Sequence, residues 1–456
     1  MHRRSLVALS QLAIVICTLL DIAEPSLGMV WPIAASAAVF IVLEWKTVPA
    51  GIRRTSLVLL AITIALLPIA HAPAAALERG IRIGGLIASL LLSVALLSRA
   101  AQRVPLLRQV ISALLSVPAQ QRFGTVTVAA QLFGGLLGFA GVAMMMEAAS
   151  ELPITSHEER VDCFGAISRG YAAANLWSPM FSNVSILLAV SPGLAWATVL
   201  PFALLLSLAS LVLGVAVHRL SGRRQSNDVA SEGENRWAVL RKASPLLMGM
   251  LGFLLCVVFL SGLTHLPVAA CIIALAPLVA WILNMKEGAH RRQPTEVARR
   301  MLADVDGLRT LVTEVTLLLA SGCAGTMIAS AIPATWTGPI ASAVSPYPVL
   351  ACLLLPTSVV LMSSASVHPL LAGILVATAF PAASMGLPPA AHLLAVLSGL
   401  ALAVIVTPFS VMSLTASRFS GLPLWTVSVR THLGFTVVKL LLVAAFLGGL
   451  SGYLAR

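Results

Sequence analysis

Charge is what this sequence has least of. Only 10% of its 456 residues are charged and 59% are hydrophobic, with a mean hydropathy of +0.97. A water-soluble chain carries about a quarter charged residues, so a soluble globular protein is excluded. No polar stretch is long enough for a separate soluble domain, and the longest, Ser221 to Lys242, reads as a loop. The six cysteines, at 17, 163, 256, 271, 323 and 352, show no C-x-x-C spacing and lie mostly in apolar runs. They read as small core residues and not as ligands or disulfide partners. The sequence has no Walker motif, no H-E-x-x-H, no G-x-S-x-G and no acidic pair at helical spacing within a span. Nucleotide hydrolysis by the chain itself is not expected, and an intramembrane enzyme stands only as a remote alternative.

What is there is apolar sequence in runs of about 20 residues, the length of a membrane-spanning helix. The expected class is an all-α polytopic membrane protein with eleven spans, near 5–22, 28–45, 55–72, 80–98, 161–191, 194–217, 245–264, 266–285, 310–332, 389–417 and 433–454. Met1-His2-Arg3-Arg4 before the first run imitates a signal peptide, but Asp21 and Glu24 stand where a small-residue cleavage site would be. A retained first helix is expected.

Two apolar stretches, 105–147 and 346–384, are too long for one helix, and each is interrupted near its middle. The interruptions read Pro118-Ala119-Gln120-Gln121-Arg122-Phe123-Gly124-Thr125 and Ser363-Ser364-Ala365-Ser366-Val367-His368-Pro369. Both stretches are expected to be re-entrant hairpins, because non-helical backbone at membrane depth is tolerated only against protein or a wet cavity. With the N-terminus in the cytoplasm, this scheme puts 23 of the 29 Lys and Arg residues inside, 3 outside and 3 within the membrane (Arg122, Arg169, Lys439). That asymmetry supports the orientation and accounts for the net charge of +12 without invoking nucleic acid.

A motif recurs once in each half. Asn175-Leu176-Trp177-Ser178-Pro179 leads on to Gly193-Leu194-Ala195-Trp196-Ala197-Thr198, and Thr407-Pro408-Phe409-Ser410 leads on to Gly421-Leu422-Pro423-Leu424-Trp425-Thr426. Proline within a span removes a backbone hydrogen bond and breaks the helix. Helices broken at corresponding places in two halves point to a transporter binding site. The expected organisation is an extra helix (1–27), a first repeat (28–217) with its hairpin at 105–147 and broken helix at 161–191, a cytoplasmic linker (218–244), and an inverted second repeat (245–456) with its hairpin at 346–384 and broken helix at 389–417.

Eleven spans, two oppositely facing hairpins and a Pro-broken helix after each resemble the ion transporter superfamily. The divalent-anion:sodium symporters are the nearest in architecture, and citrate carriers and the large membrane subunit of tripartite periplasmic transporters are similar. The tips here read Gln120 to Thr125 and Ser363 to His368 in place of the symporters' Ser-Asn-Thr, so what carries over is a location where both tips and both breaks meet. The resemblance implies an elevator-type cycle, a homodimer, and residence in the inner membrane.

The residues themselves leave two readings open. At a broken helix, freed carbonyls can coordinate a cation and freed N–H groups can receive an anion. Candidate substrate contacts are Arg122, Thr125, Asn175, Ser178, Ser364, Ser366, Thr407 and Ser410, and candidate ion-coupling residues are Ser182, Asn183, His368 and Ser413. The plainer reading is that these hydroxyls and amides cap backbone freed by the breaks. Arg122, about 18 Å of helix into the membrane, would suit a carboxylate, sulfonate or phosphonate, or would pair with Glu147. Arg169 is expected to pair with Glu147, Glu158, Glu159 or Asp162, and Lys439 to snorkel or pair. His432 and Arg430 read as interfacial anchors, and Trp31, Trp45, Trp196, Trp336 and Trp425 as an aromatic belt, with Trp177 walling a cavity.

The expected function is secondary active transport of a small organic anion coupled to H⁺ or Na⁺. An exporter or antiporter of an oxyanion or toxic metabolite is the alternative. No cofactor is expected beyond Na⁺ as a coupling ion, and the expected partners are the anionic substrate and membrane lipid.

Overall fold

The computed structural model describes residues 2–154, 156–191, 193–220, 236–285, 293–408 and 410–454. Residues 221–235 of the expected linker, the basic residues of 286–292, and Pro192 and Phe409 of the doubled motif lie outside them.

The described chain is helical throughout. It begins with α1 (His2–Ala23), α2 (Val30–Glu44), α3 (Ala50–Leu66) and α4 (Pro73–Gln102), then α5 (Pro105–Leu115), α6 (Ala119–Ser150), α7 (His157–Ala174), α8 (Ser182–Ala189) and α9 (Trp196–Leu220). The second half holds α10 (Arg236–Thr264), α11 (Val268–Met285), α12 (Pro294–Gly307), α13 (Val312–Ala331) and α14 (Ala334–Val344). It ends with α15 (Pro348–Ser364), α16 (Pro369–Ala379), α17 (Pro389–Val406), α18 (Val411–Ser420) and α19 (Thr431–Leu454). Ten helical stretches among the described residues are long and apolar enough to cross a membrane, so the chain is a polytopic helical membrane protein.

Two compact units divide the chain, and each draws on both of its halves. One comprises Met1–Val104 with Leu255–Pro339, the other Pro105–Leu254 with Ile340–Arg456. In the first unit α4 is central, packing on α1, α2, α11 and α13. Small residues allow the closest of these approaches. A Cβ on Gly80 would stand 2.6 Å from the Cys323 Cα, and one on Gly322 would stand 2.8 Å from the Gly80 carbonyl. Ion pairs hold the ends of this unit. Asp21 meets Arg82 at 3.4 Å, Glu44 meets Arg3 at 3.3 Å, and Asp304, almost wholly buried, pairs with Arg103, which also donates to Asn284 Oδ1 at 3.0 Å.

The second unit holds everything the doubled motif pointed to. The α6 helix folds back on itself at Gly138, whose φ of 63° and ψ of −149° belong to a region only glycine occupies readily. A Cβ on Gly141 would lie 2.5 Å from the Phe133 carbonyl oxygen, whereas residues eight apart in a straight helix are separated by about 12 Å. The α15–α16 hairpin turns through residues 365–368, with Ser366 at φ 70°. An irregular segment at 175–181 separates α7 from α8, and non-helical Thr407, Pro408 and Ser410 stand between α17 and α18. The packing is reciprocal: α18 lies on α6 and α7, while α8 lies on α16 and α17. The short helices that precede the two hairpins, α5 and α14, are each 11 residues long.

Candidate functional site

The second unit's two breaks are built by the same chemistry. Pro408 has no N–H to give the Val404 carbonyl, four residues back. Ser410 Oγ donates to that carbonyl instead, at 2.6 Å, and also accepts from the Ser413 N–H at 3.0 Å as the N-cap of α18. Ser413 Oγ donates to the Thr407 carbonyl at 2.8 Å. At the first break, Ser178 Oγ donates to the carbonyl of Gly135, which the turn at Gly138 has freed from the helix ladder. Asn183 Nδ2 donates to Asn175 Oδ1 at 2.9 Å, and Asn175 Nδ2 donates to the Tyr171 carbonyl at 3.0 Å. Asn175, Ser178, Asn183, Thr407, Ser410 and Ser413 are all buried, and Ser182 is half-buried. The hydroxyls of Ser178, Ser410 and Ser413 thus satisfy backbone carbonyls at the turn and the breaks, while Asn183 and Asn175 bond to each other across the first break.

The first hairpin meets the first break directly. The Trp177 ring lies against Gly135, where a Cβ would come within 2.6 Å, and the Trp177 carbonyl accepts from Trp196 Nε1 at 2.9 Å. Trp196 is therefore a buried brace of the break and not part of an exposed belt, whereas Trp31, Trp336 and Trp425 are exposed. The Trp177 Nε1–H is itself buried and has no acceptor among the described residues.

The turn of the first hairpin is 13 residues beyond Thr125, the end of the polar break read from the sequence. Residues 119–125 are helical, and Arg122 lies 16 residues, about 24 Å of helix, before Gly138. Arg122 is partly buried at the opposite end of the hairpin from its turn, paired with Glu159 in the first turn of α7, while Glu147 is exposed. Thr125 lines an apolar cavity of about 440 Å³ with Gln120, Gln121, Phe133 and His218. The polar run at 118–125 reflects a helix start facing a partner helix. The actual turn sits in Gly134-Gly135-Leu136-Leu137-Gly138-Phe139-Ala140-Gly141, whose glycine spacing was the available signal.

The second turn falls where the polar interruption stands. Ser364 and Ser366 are exposed there, and Ser364 Oγ donates to the Val360 carbonyl at 2.8 Å. His368 precedes α16 with its Nδ1 buried and without a partner among the described residues.

Three basic residues are buried within the second unit. Arg169 donates to the carbonyls of Gly214 and Thr431, both at 3.1 Å, and its guanidinium lies 5.4 Å from the Phe123 ring centre and 4.9 Å from that of Phe435. It ties α7 to α9 and α19. His432 is fully buried and cannot anchor an interface, and Lys439 is 1% exposed and does not snorkel. Both lie on the inward stripe of α19, with Thr436 between them.

No protein-family model matches the chain, and no curated protein matches it by sequence. Its structure is similar to that of the YdaH transporter of Alcanivorax borkumensis, described as having an unusual topology, with a TM-score of 0.58 and 14% identity over 87% of this chain and 98% of that one. At that identity the likeness is one of fold, and the chain is a polytopic helical membrane protein that shares its fold with a transporter.

Proposed function

We propose that the protein is a secondary active transporter of a small organic anion, coupled to H⁺ or Na⁺, in which the second unit carries the site through an elevator-type alternating-access cycle. The observation that supports this reading most directly is the gathering of two hairpins and two broken helices into one unit, with the first turn packed on the first break through Gly135, Trp177 and Ser178. In this reading the hairpins are re-entrant and the repeats inverted. The likeness to a transporter in fold supports the same conclusion.

The substrate is placed at the first break, where the free N–H groups that open α8 and the unsatisfied Trp177 Nε1–H provide donors for a carboxylate. Asn175, Ser178, Ser410 and Ser413 hold the breaks in shape. Arg122 stands away from the turn and contributes through Glu159.

Counterflow in proteoliposomes tests this. A carrier preloaded with unlabelled anion takes up labelled anion transiently against its gradient, because the loaded site returns faster than the empty one. Uptake without trans acceleration would mark a channel and overturn the proposal.

A further inference from the structure

Negative charge ends at Glu314, and residues 315–456 contain no Asp or Glu. The second hairpin, the second broken helix and α19 all fall in that stretch. Lys439 lies in its midst, on the inward stripe of α19, with Nζ buried and without a hydrogen-bond partner among the described residues. The ring of Phe435 is 5.8 Å from Nζ, and the same ring also receives Arg169.

The elements packed on α19 offer little to balance an ammonium. The titratable side chain on α15 is Cys352 and on α17 His392, and the π turn before α19 carries Arg430. The α9 helix carries His218 and Arg219, and α19 itself carries His432. Carboxylates come from α7 alone, as Glu158, Glu159 and Asp162 in its first two turns, where Glu159 pairs with Arg122 and Asp162 lies 3.8 Å from His218. A ring face is a weak counterpart for a buried cation, and an uncompensated buried charge is costly. Arginine would have to carry that charge permanently, but lysine can shed it.

We propose that Lys439 carries the coupled proton of the transport cycle, as a neutral amine while the unit is empty and as an ammonium while the unit holds an anion. This rests on the transport reading above. The amine lone pair takes a proton from water on the side where the anion enters, forming a fourth bond at nitrogen, and returns it to water on the other side when the anion leaves. One proton and one monovalent anion cross together, and no net charge moves. The α19 helix packs on α15 and α17, so charging Lys439 acts directly on the second hairpin and the second broken helix.

The chain has only four lysines, at 46, 242, 286 and 439, so lysine labelled with ¹³C at Cε reports each one separately, and Lys439→Gln assigns the signal. In the full-length protein in nanodiscs, the Lys439 signal is expected to convert between the amine and ammonium positions as the pH is varied. An ammonium signal for Lys439 throughout overturns the proposal. In proteoliposomes given labelled lactate, gluconate and glutarate, an imposed pH gradient is expected to drive wild-type uptake of a monovalent anion, and a potassium–valinomycin potential to leave it unchanged. Lys439→Gln, shown to be folded by its thermal-unfolding midpoint in detergent, is expected to lower gradient-driven accumulation at least about tenfold. Accumulation that persists in that variant overturns the proposal. Wild-type vesicles that show no counterflow with any of the three acids count against the transport reading, and the lysine titration is read independently of them.

Discussion

Ser410 Oγ stands 2.6 Å from the Val404 carbonyl oxygen, in the place that the N–H of Pro408 would occupy were it another residue. One side chain thus closes the helix that ends and caps the helix that begins. Ser410→Ala is expected to cost about 1–2 kcal/mol, the sum of a lost cap and an orphaned buried carbonyl. Adding Pro408→Ala returns an N–H to Val404, so the double variant should recover part of the loss. A thermal-unfolding cycle over the four proteins in detergent measures the coupling, and strict additivity would show that Ser410 does not stand in for the proline.

Gly138 carries the turn of the first hairpin in a conformation closed to other residues. Gly138→Ala is expected to destabilise by roughly 1–3 kcal/mol, more than Gly124→Ala, where a Cβ would meet only the Val215 side chain at 3.8 Å. The unfolding midpoints of the two variants make the comparison, and equal midpoints would mean that α6 can run straight through.

Trp177→Phe keeps a ring against Gly135 and removes the Nε1–H. With the substrate at the first break, the loss of one hydrogen bond should weaken anion affinity by about tenfold and leave thermal stability near wild type. Half-saturation in counterflow reads the first and the unfolding midpoint the second. A lowered midpoint with unchanged affinity would make the indole a packing element alone.

Arg122 and Glu159 form a partly exposed pair, with side chains 16% and 29% exposed, so removing either partner is expected to cost about 1 kcal/mol or less. Arg122→Gln should reduce uptake only through the carboxylate it leaves unpaired, and Glu159→Gln added to it should restore uptake. A double variant as inactive as the single one would return Arg122 to the role of an anion contact.

Much of this architecture can be read directly from the residue pattern. The second turn, at 365–368, lies within the polar interruption of 363–369, and both breaks lie at the hydroxyl–proline pairs. These features announce themselves because polar residues and prolines are costly within a span. The first turn does not, because glycines make it within unbroken apolar sequence, and the eye goes instead to Arg122, which a partner helix neutralises. Lys439 is misread for a related reason. A lysine within a span is expected to reach for water, and only the stripe it shares with His432 and Thr436 shows that it points inward.

The composition of the two units bears on how the chain is made. The α4 helix is complete at Gln102, yet its partners α11 and α13 begin at Val268 and Val312. Most of its central window is buried in the finished protein, so during synthesis α4 has α1 and α2 beside it but lacks α11 and α13 while the whole first hairpin and broken helix are threaded in behind it. The first unit cannot close before α13 ends at Ala331, nor the second before α19 ends at Leu454. Fragments separated in the 221–235 segment should each enter the membrane, yet only co-expression should yield a compact, protease-resistant protein, because each fragment holds half of both bundles.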